Sequence, residues 1–277
     1  MNYYSAEKIS RHVTRITSMS KEYMYLIEGE REAVLVDTCL GVGSLRAFVE
    51  SLTSKPLTVL LTHGHVDHAM GAPEFAKVYM NLADVAVYLE HQALQVRQEY
   101  MAMTLGLELA EIRKLDFVQP ELPDFLALRD GDRFDLGGVQ LAVSAAAGHT
   151  PGTMAVLIEE ERTLILGDAG NRSTFLFDKH SSSVESYRNS MISLASKTAG
   201  KFDQVYLCHH LGEAPALILE ELVNLCGEIM DRQTDDIPFE FMEYTACIAK
   251  AVDENFNRLD GGTGNIIYDV NKIFNSH

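Results

Sequence analysis

The chain has 277 residues, enough for one large domain or two small ones, and its 47% hydrophobic and 23% charged residues are typical of a soluble globular protein. Its formal net charge of −17 opposes binding to nucleic acid, because affinity for a phosphate backbone comes largely from Lys and Arg. No apolar run approaches the roughly 18 residues of a membrane span, the first residues do not resemble a signal peptide, and the four cysteines lack CxxC spacing. We therefore expect a cytoplasmic protein that binds neither nucleic acid nor membranes.

The first residues of the chain form short strand-like runs. Residues 13–16, 24–28 and 33–36 are apolar or alternate between apolar and polar, which predicts strands. Ser44 is placed to cap a helix that extends to about Leu52. A further buried run follows this helix, and strand, loop, helix and strand in succession predict a βαβ unit.

The middle of the chain is dominated by helix-forming residues. We expect a short helix over 72–78, an apolar strand over 85–88, and two helices over 90–115 that Gly106 separates, since this last stretch is rich in good helix formers. The helical insertion as a whole occupies about residues 90–125. It either covers a site as a lid or packs as an ordinary helical hairpin.

The second half of the chain returns to strands and then ends in helices. Apolar runs bounded by turn residues predict the strands, and amphipathic stretches rich in helix formers predict the helices. The predicted strands are 134–136, 139–144, 154–158, 163–166 and 205–208, and the predicted helices are 187–195, 214–231 and 239–258.

The most informative stretch is V-L-L-T-H-G-H-V-D-H-A-M-G, residues 59–71. An apolar run ends there in four side chains that can bind metals, His63, His65, Asp67 and His68. Side chains two apart on an extended segment share a face, so the first two histidines can address one ion. Asp67 and His68 follow where the chain turns, and they can address a second.

Other apolar runs also end in residues that can bind metals or accept hydrogen bonds. Asp37 and Asp168 each end one such run, His209 ends another, and His149 lies in the loop G-H-T-P-G between two further strands. A single aspartate at a strand end is usually a cap or turn residue. If these strands share an orientation, however, their ends converge on one rim, where α/β folds place their ligands.

These residues together resemble the metallo-β-lactamase superfamily. Its hallmark H-x-H-x-D-H matches residues 63–68, and its later motifs match a D-T-x-x-G loop at Asp37, G-H-T-P-G at His149, G-D at Asp168, and His209 after an apolar strand. The resemblance spans about residues 13–212. It implies an α/β (α+β) fold, an αββα sandwich of two mixed β-sheets flanked by helices. We expect a single domain over 1–277, with the insertion at about 90–125 and extra C-terminal helices at about 213–258.

The resemblance also implies a set of ligands for two metal ions. His63, His65 and His149 would hold the first ion and Asp67, His68 and His209 the second, while Asp168 would bridge them and Asp37 would orient the histidine loop from behind. His210 is the less certain candidate for the last ligand. Imidazoles and carboxylates without thiolate suit Zn²⁺ best and also Fe or Mn, so Cys208 is expected to be a buried strand thiol.

The activity that this resemblance implies is metal-dependent hydrolysis. A metal-bridging hydroxide would cleave a small ester-like substrate (a thioester, lactone or phosphate ester), with Asp67 as the catalytic residue that steers the nucleophile or passes a proton. The alternative is an iron-dependent sulfur dioxygenase or another redox enzyme on the same scaffold. The expected partner is a small-molecule substrate, and the oligomeric state is open, with a homodimer among the assemblies allowed. His12, His91, His180 and His277 have no partner by spacing and are expected to be surface or structural residues.

Overall fold

The computed structural model describes residues 2–210, 212–242 and 244–275, and the chain divides into two compact units, residues 1–142 and 143–277. The division falls inside one strand. Whether the two units act as the single domain that the sequence predicts stays a prediction.

The N-terminal unit is built on a seven-stranded mixed sheet with the strand order β1-β2-β3-β4-β5-β6-β7. The first four strands pair antiparallel, and β4 to β7 pair parallel. All four residues of β4 are buried, as expected for a strand covered on both faces. The strands are Tyr4–Lys8 (β1), Val13–Ser18 (β2), Tyr23–Glu28 (β3), Ala33–Val36 (β4), Leu57–Leu60 (β5), Val78–Met80 (β6) and Leu126–Ala127 (β7).

The helices of this unit lie in the connections between its parallel strands. Ser44 caps α1 as predicted, because its side chain accepts a hydrogen bond from the Ala47 backbone N–H. Gly106 ends α4 in the left-handed conformation (φ 62°) and so separates two helices, which also confirms the prediction. The helices are Leu45–Leu52 (α1), Val66–Ala69 (α2), Val85–His91 (α3), Leu94–Leu105 (α4) and Leu109–Ile112 (α5).

Two predictions in the middle of the chain are wrong. The stretch 72–78 forms a single 3-10 turn and the start of β6 rather than a helix, and 85–88 is the start of α3 rather than a strand. The side chain of Asn81 accepts a hydrogen bond from the Ala83 N–H and so begins a helical turn that continues into α3. The apolar run V-A-V-Y therefore forms a helix, because local capping outweighs the β propensity of valine.

Among its described residues, the C-terminal unit contains two groups of strands and two α-helices. A hairpin of β8 and β9 leads into it, and β9 crosses the boundary between the units. One group has the order β14-β13-β11-β10 and the other the order β12-β17-β16-β15. The elements are Arg133–Asp135 (β8), Gln140–Ala145 (β9), Met154–Ile158 (β10), Thr163–Ile165 (β11), Thr174–Leu176 (β12), Val184–Thr198 (α6), Gln204–Tyr206 (β13), Glu213–Pro215 (β14), Ile218–Met230 (α7), Ile237–Phe241 (β15), Tyr244–Ile248 (β16) and Ile266–Tyr268 (β17).

The second of the predicted C-terminal helices is wrong. The stretch 239–258 begins with the antiparallel hairpin of β15 and β16. Phe239, Phe241 and Tyr244 lie on one face of this hairpin and pack against the buried Phe177. Apolar side chains two apart satisfy a strand period, and burying aromatic rings on one face outweighs any helical pattern. The first predicted helix is present as α7, preceded by β14. None of the helices among the described residues has the length and apolar character that a membrane span requires.

Candidate metal centre

The histidine loop of the N-terminal unit (residues 62–68) begins directly after β5. His63 and His65 flank Gly64, while Asp67 and His68 lie in the short helix α2. All four residues are at most 8% exposed. The ring centroids of His63 and His65 are 4.8 Å apart, and those of His63 and His68 are 4.0 Å apart. The loop therefore gathers three imidazoles and a carboxylate in a buried space.

Asp37 holds this loop from behind. It follows β4 with a left-handed backbone (φ 65°) and is 1% exposed. Its Oδ1 accepts a hydrogen bond from the Thr62 N–H at 2.7 Å. Its Oδ2 accepts one from the Thr62 hydroxyl at 2.8 Å and one from Nδ1 of His68 at 2.9 Å. Three donors from the histidine loop thus converge on one buried carboxylate.

These contacts assign the tautomers of two histidines. Since the Thr62 hydroxyl gives its only hydrogen to Asp37, the 3.0 Å contact between Thr62 Oγ1 and His63 Nδ1 has the imidazole as donor. His68 Nδ1 likewise donates to Asp37, because an ionised carboxylate only accepts. In both rings the proton is on Nδ1, and Nε2 carries the lone pair that a metal ion requires.

The C-terminal unit gathers three further candidates. His149 lies in the loop between β9 and β10, and its Nδ1 is 2.8 Å from the backbone carbonyl of Phe175. A carbonyl can only accept, so Nε2 again carries the lone pair. Asp168 lies between two histidines, with its Oδ2 3.7 Å from Nε2 of His149 and its Oδ1 3.4 Å from Nε2 of His209. The three predicted residues of this unit thus lie together.

His210, the alternative last ligand, has a different setting from its neighbour. Its backbone is left-handed (φ 58°), and burial together with the adjacent His209 lowers the pKa of its imidazole. Cys208, on the other side of His209, is fully buried.

Three residues that contact the histidine loop are not among the site residues that the sequence predicts. Asp84 Oδ2 accepts a hydrogen bond from the Gly64 N–H at 2.9 Å. His91, expected to be a surface or structural residue, accepts one from the Val66 N–H at 3.0 Å, and its ring lies 4.9 Å from that of His65. Tyr100 donates its hydroxyl to Asp67 Oδ2 at 2.8 Å. If residues 85–91 had been predicted as a helix, Asp84 and His91 would have been expected on the same side of that helix. Of the other unassigned histidines, His277 lies outside the described residues.

The donor chemistry of both units fits divalent metal ions. Imidazole Nε2 atoms and carboxylate oxygens are ligands of Zn²⁺ and also suit Fe and Mn. In three of the histidines a protein acceptor holds Nδ1, which is the arrangement that orients histidine ligands. The residues present therefore fit a metal-dependent site.

The chain is similar in sequence to proteins described as hydrolases. It is 27% identical over 169 residues to acyl-coenzyme A thioesterase MBLAC2 of Bos taurus, a match that covers 54% of this chain and 59% of that protein. It is 25% identical over 209 residues to the probable polyketide biosynthesis zinc-dependent hydrolase BaeB of Bacillus velezensis, covering 74% of this chain and 80% of that protein. The chain thus spans less than two thirds of the thioesterase.

Solved structures with the same fold agree. A metallo-beta-lactamase from Pontibacter korlensis matches 80% of this chain and 97% of its own length at 17% identity and a TM-score of 0.55. A metallo-beta-lactamase family protein from Thermus thermophilus matches 83% and 80% at 24% identity and a TM-score of 0.52. These matches confirm the predicted α/β fold class. The family model for the metallo-beta-lactamase superfamily matches residues 21–209, and the chain therefore belongs to the metallo-β-lactamase superfamily.

Proposed function

We propose that this protein is a dinuclear metal-dependent hydrolase that cleaves a small ester-like substrate. The observation that carries the proposal is the commitment of Nδ1 in His63, His68 and His149 to protein acceptors, which presents Nε2 as the ligand atom in each ring. A buried histidine that binds no ligand does not require this arrangement. Three histidines with the same tautomer, beside buried aspartates, are arranged for a cation.

The family motifs supply the assignment of ligands. His63, His65 and His149 would hold the first ion and Asp67, His68 and His209 the second, and Asp168 would serve both. Zn²⁺ is the ion that this donor set suits best, and a relative described as a zinc-dependent hydrolase supports that choice. Fe and Mn are the alternative ions, and metal analysis of the purified protein would detect them.

The chemistry follows from the charges in the site. Divalent ions, when bound, act as Lewis acids toward a carbonyl or phosphoryl oxygen and lower the pKa of water. Asp67, a carboxylate held by the Tyr100 hydroxyl, orients the attacking water and accepts its proton for delivery to the leaving group. Asp37 keeps His68 and, through Thr62, His63 in fixed orientations throughout the reaction.

The substrate class is drawn from the relatives. An acyl thioester comes first, because a relative is described as an acyl-coenzyme A thioesterase, and lactones and phosphate esters follow. The substrate is a small molecule, and the chain's formal charge of −17 disfavours polyanionic ones such as nucleic acids.

The test combines metal analysis with a substrate panel. Protein purified from unsupplemented medium is analysed for Zn, Fe and Mn, and then assayed with thioester, lactone and phosphodiester substrates and for oxygen consumption with a persulfide. We expect close to two equivalents of Zn and thioester turnover that H65A and D168A abolish together with metal binding. His12, which contacts the Glu28 carbonyl, provides the matched control H12A. Full turnover by metal-free protein would overturn the proposal, and oxygen consumption by iron-containing protein would favour the redox alternative.

A further inference from the structure

Helix α4 of the insertion contacts the histidine loop through Tyr100. The Tyr100 hydroxyl donates a hydrogen bond to Asp67 Oδ2 at 2.8 Å. Asp67 is 8% exposed and Tyr100 is half-buried, so water competes weakly for this contact. A hydrogen bond from a phenol to an ionised carboxylate is charge-assisted and stronger than one between neutral groups. It fixes the carboxylate rotamer.

The same helix is fastened to the loop that follows Asp37. Arg97 is 1% exposed, and its guanidinium donates to the backbone carbonyls of Leu40 at 2.9 Å, Gly41 at 2.6 Å and Val118 at 2.6 Å. Burial lowers the pKa of Arg97 to about 10, which leaves the side chain charged at neutral pH. A planar donor fork that binds three backbone carbonyls, two of them buried, holds α4 in one place.

These two contacts lie on one side of α4. Arg97 and Tyr100 are three residues apart, and side chains at that spacing are neighbours on a helix surface. Arg97 binds the loop that begins at Asp37, and Tyr100 binds Asp67. One helix therefore contacts both the loop that follows Asp37 and the carboxylate of Asp67.

We infer that Tyr100 is a positioning residue for Asp67 and that α4 is a fixed support of the metal centre rather than a lid. The inference rests on the proposed function, because it assigns Asp67 to the second ion. Tyr100 sets the orientation of that ligand through its hydrogen bond to Oδ2, and Arg97 keeps Tyr100 in range. A lid would open to admit substrate, but the buried contacts of Arg97 oppose such a motion.

The test removes the hydroxyl alone. Y100F keeps the ring, so the protein is expected to keep the wild-type midpoint of urea unfolding. In the metal-free protein, titration with Co²⁺ or Zn²⁺ against a competing chelator should show a 10- to 100-fold loss of affinity for the second equivalent, with the first unchanged, as is typical when a residue behind a ligand is removed. The Co²⁺ absorption spectrum of the second equivalent should also change. The matched control is Y79F, since Tyr79 is a half-buried tyrosine of β6 whose ring packs on Phe134. Equal affinities for both equivalents in Y100F and wild type would overturn the inference.

A second measurement tests the fixed position of α4. Backbone amides of α4 should exchange hydrogen as slowly as those of α1. R97K should accelerate exchange in α4 and, like Y100F, should lower the affinity for the second metal equivalent. Rapid exchange in α4 of the wild-type protein would support a lid and overturn the support role. These readouts do not require turnover. If Y100F alters metal affinity but no ester-like substrate is cleaved, only the proposed hydrolase activity fails.

Discussion

Nδ1 of His68 lies 2.9 Å from Oδ2 of Asp37, although 31 residues separate them in the chain. Both side chains are 1% exposed, so the hydrogen bond is formed away from competing water. The same carboxylate accepts two hydrogen bonds from Thr62. Asp37 is thus the residue on which the orientation of the histidine loop depends.

Replacing Asp37 by Asn should weaken metal binding. The amide of Asn offers one accepting oxygen and one donating nitrogen, whereas the site presents three donors, so at least one buried donor loses its acceptor. We expect D37N to lower metal affinity by about 10- to 100-fold and the free energy of unfolding by about 1–3 kcal/mol. Chelator competition and urea unfolding measure the two effects. D135N is the control, because Asp135 forms an ion pair with Arg31 in which both side chains are exposed, and such pairs contribute little to stability. Unchanged metal affinity in D37N would refute the role of Asp37.

A methyl group at Gly64 should disturb the two histidines that flank it. A Cβ there would lie 2.8 Å from the Asp84 carbonyl oxygen and 3.1 Å from the Tyr88 backbone nitrogen, both backbone atoms that cannot move aside easily. G64A should therefore cost about 1–3 kcal/mol of unfolding free energy and reduce metal binding. Gly227 is the matched control within α7, because the nearest atom to its Cβ would be Arg188 Nε at 3.9 Å. G227A should be neutral or stabilise by about 0.5–1 kcal/mol. Equal stability of G64A and G227A would contradict the packing argument.

The two adjacent histidines at the end of β13 should respond differently to substitution. Nε2 of His209 lies 3.4 Å from Asp168 Oδ1, while His210 has a left-handed backbone, and desolvation lowers the pKa of its imidazole. We expect H209A to lose metal and turnover and H210A to keep the wild-type metal content. Elemental analysis of both variants after dialysis distinguishes them. The reverse pattern would assign the last ligand to His210.

The sequence predicts those elements whose signals are local. The cap at Ser44 and the helix end at Gly106 depend on residues next to each other, and both predictions are confirmed. The helix α3 was missed, because its valines favour a strand and the capping Asn81 lies outside the apolar run. The hairpin of β15 and β16 was missed because its stability comes from rings on other elements, such as Phe177.

The candidate site shows the same division. The hallmark at residues 63–68 is contiguous, so the sequence alone singles out its metal-capable side chains. Tyr100 and Asp84 contact that loop from 33 and 20 residues away along the chain. No spacing rule connects them to it. Their contacts with the histidine loop depend on the tertiary positions of α3 and α4.

The hydrogen bonds of Asp37 have a consequence for the order in which the protein matures. They join β4 to a loop 25 to 31 residues later, and such long-range contacts form only as the sheet itself assembles. The imidazoles should therefore be oriented by the polypeptide before any cation binds. A zinc finger needs its ion to fold. This N-terminal unit, in contrast, should remain folded in the presence of a chelator and should bind its metal at a site that is already formed. Metal availability would then regulate activity without triggering unfolding or degradation.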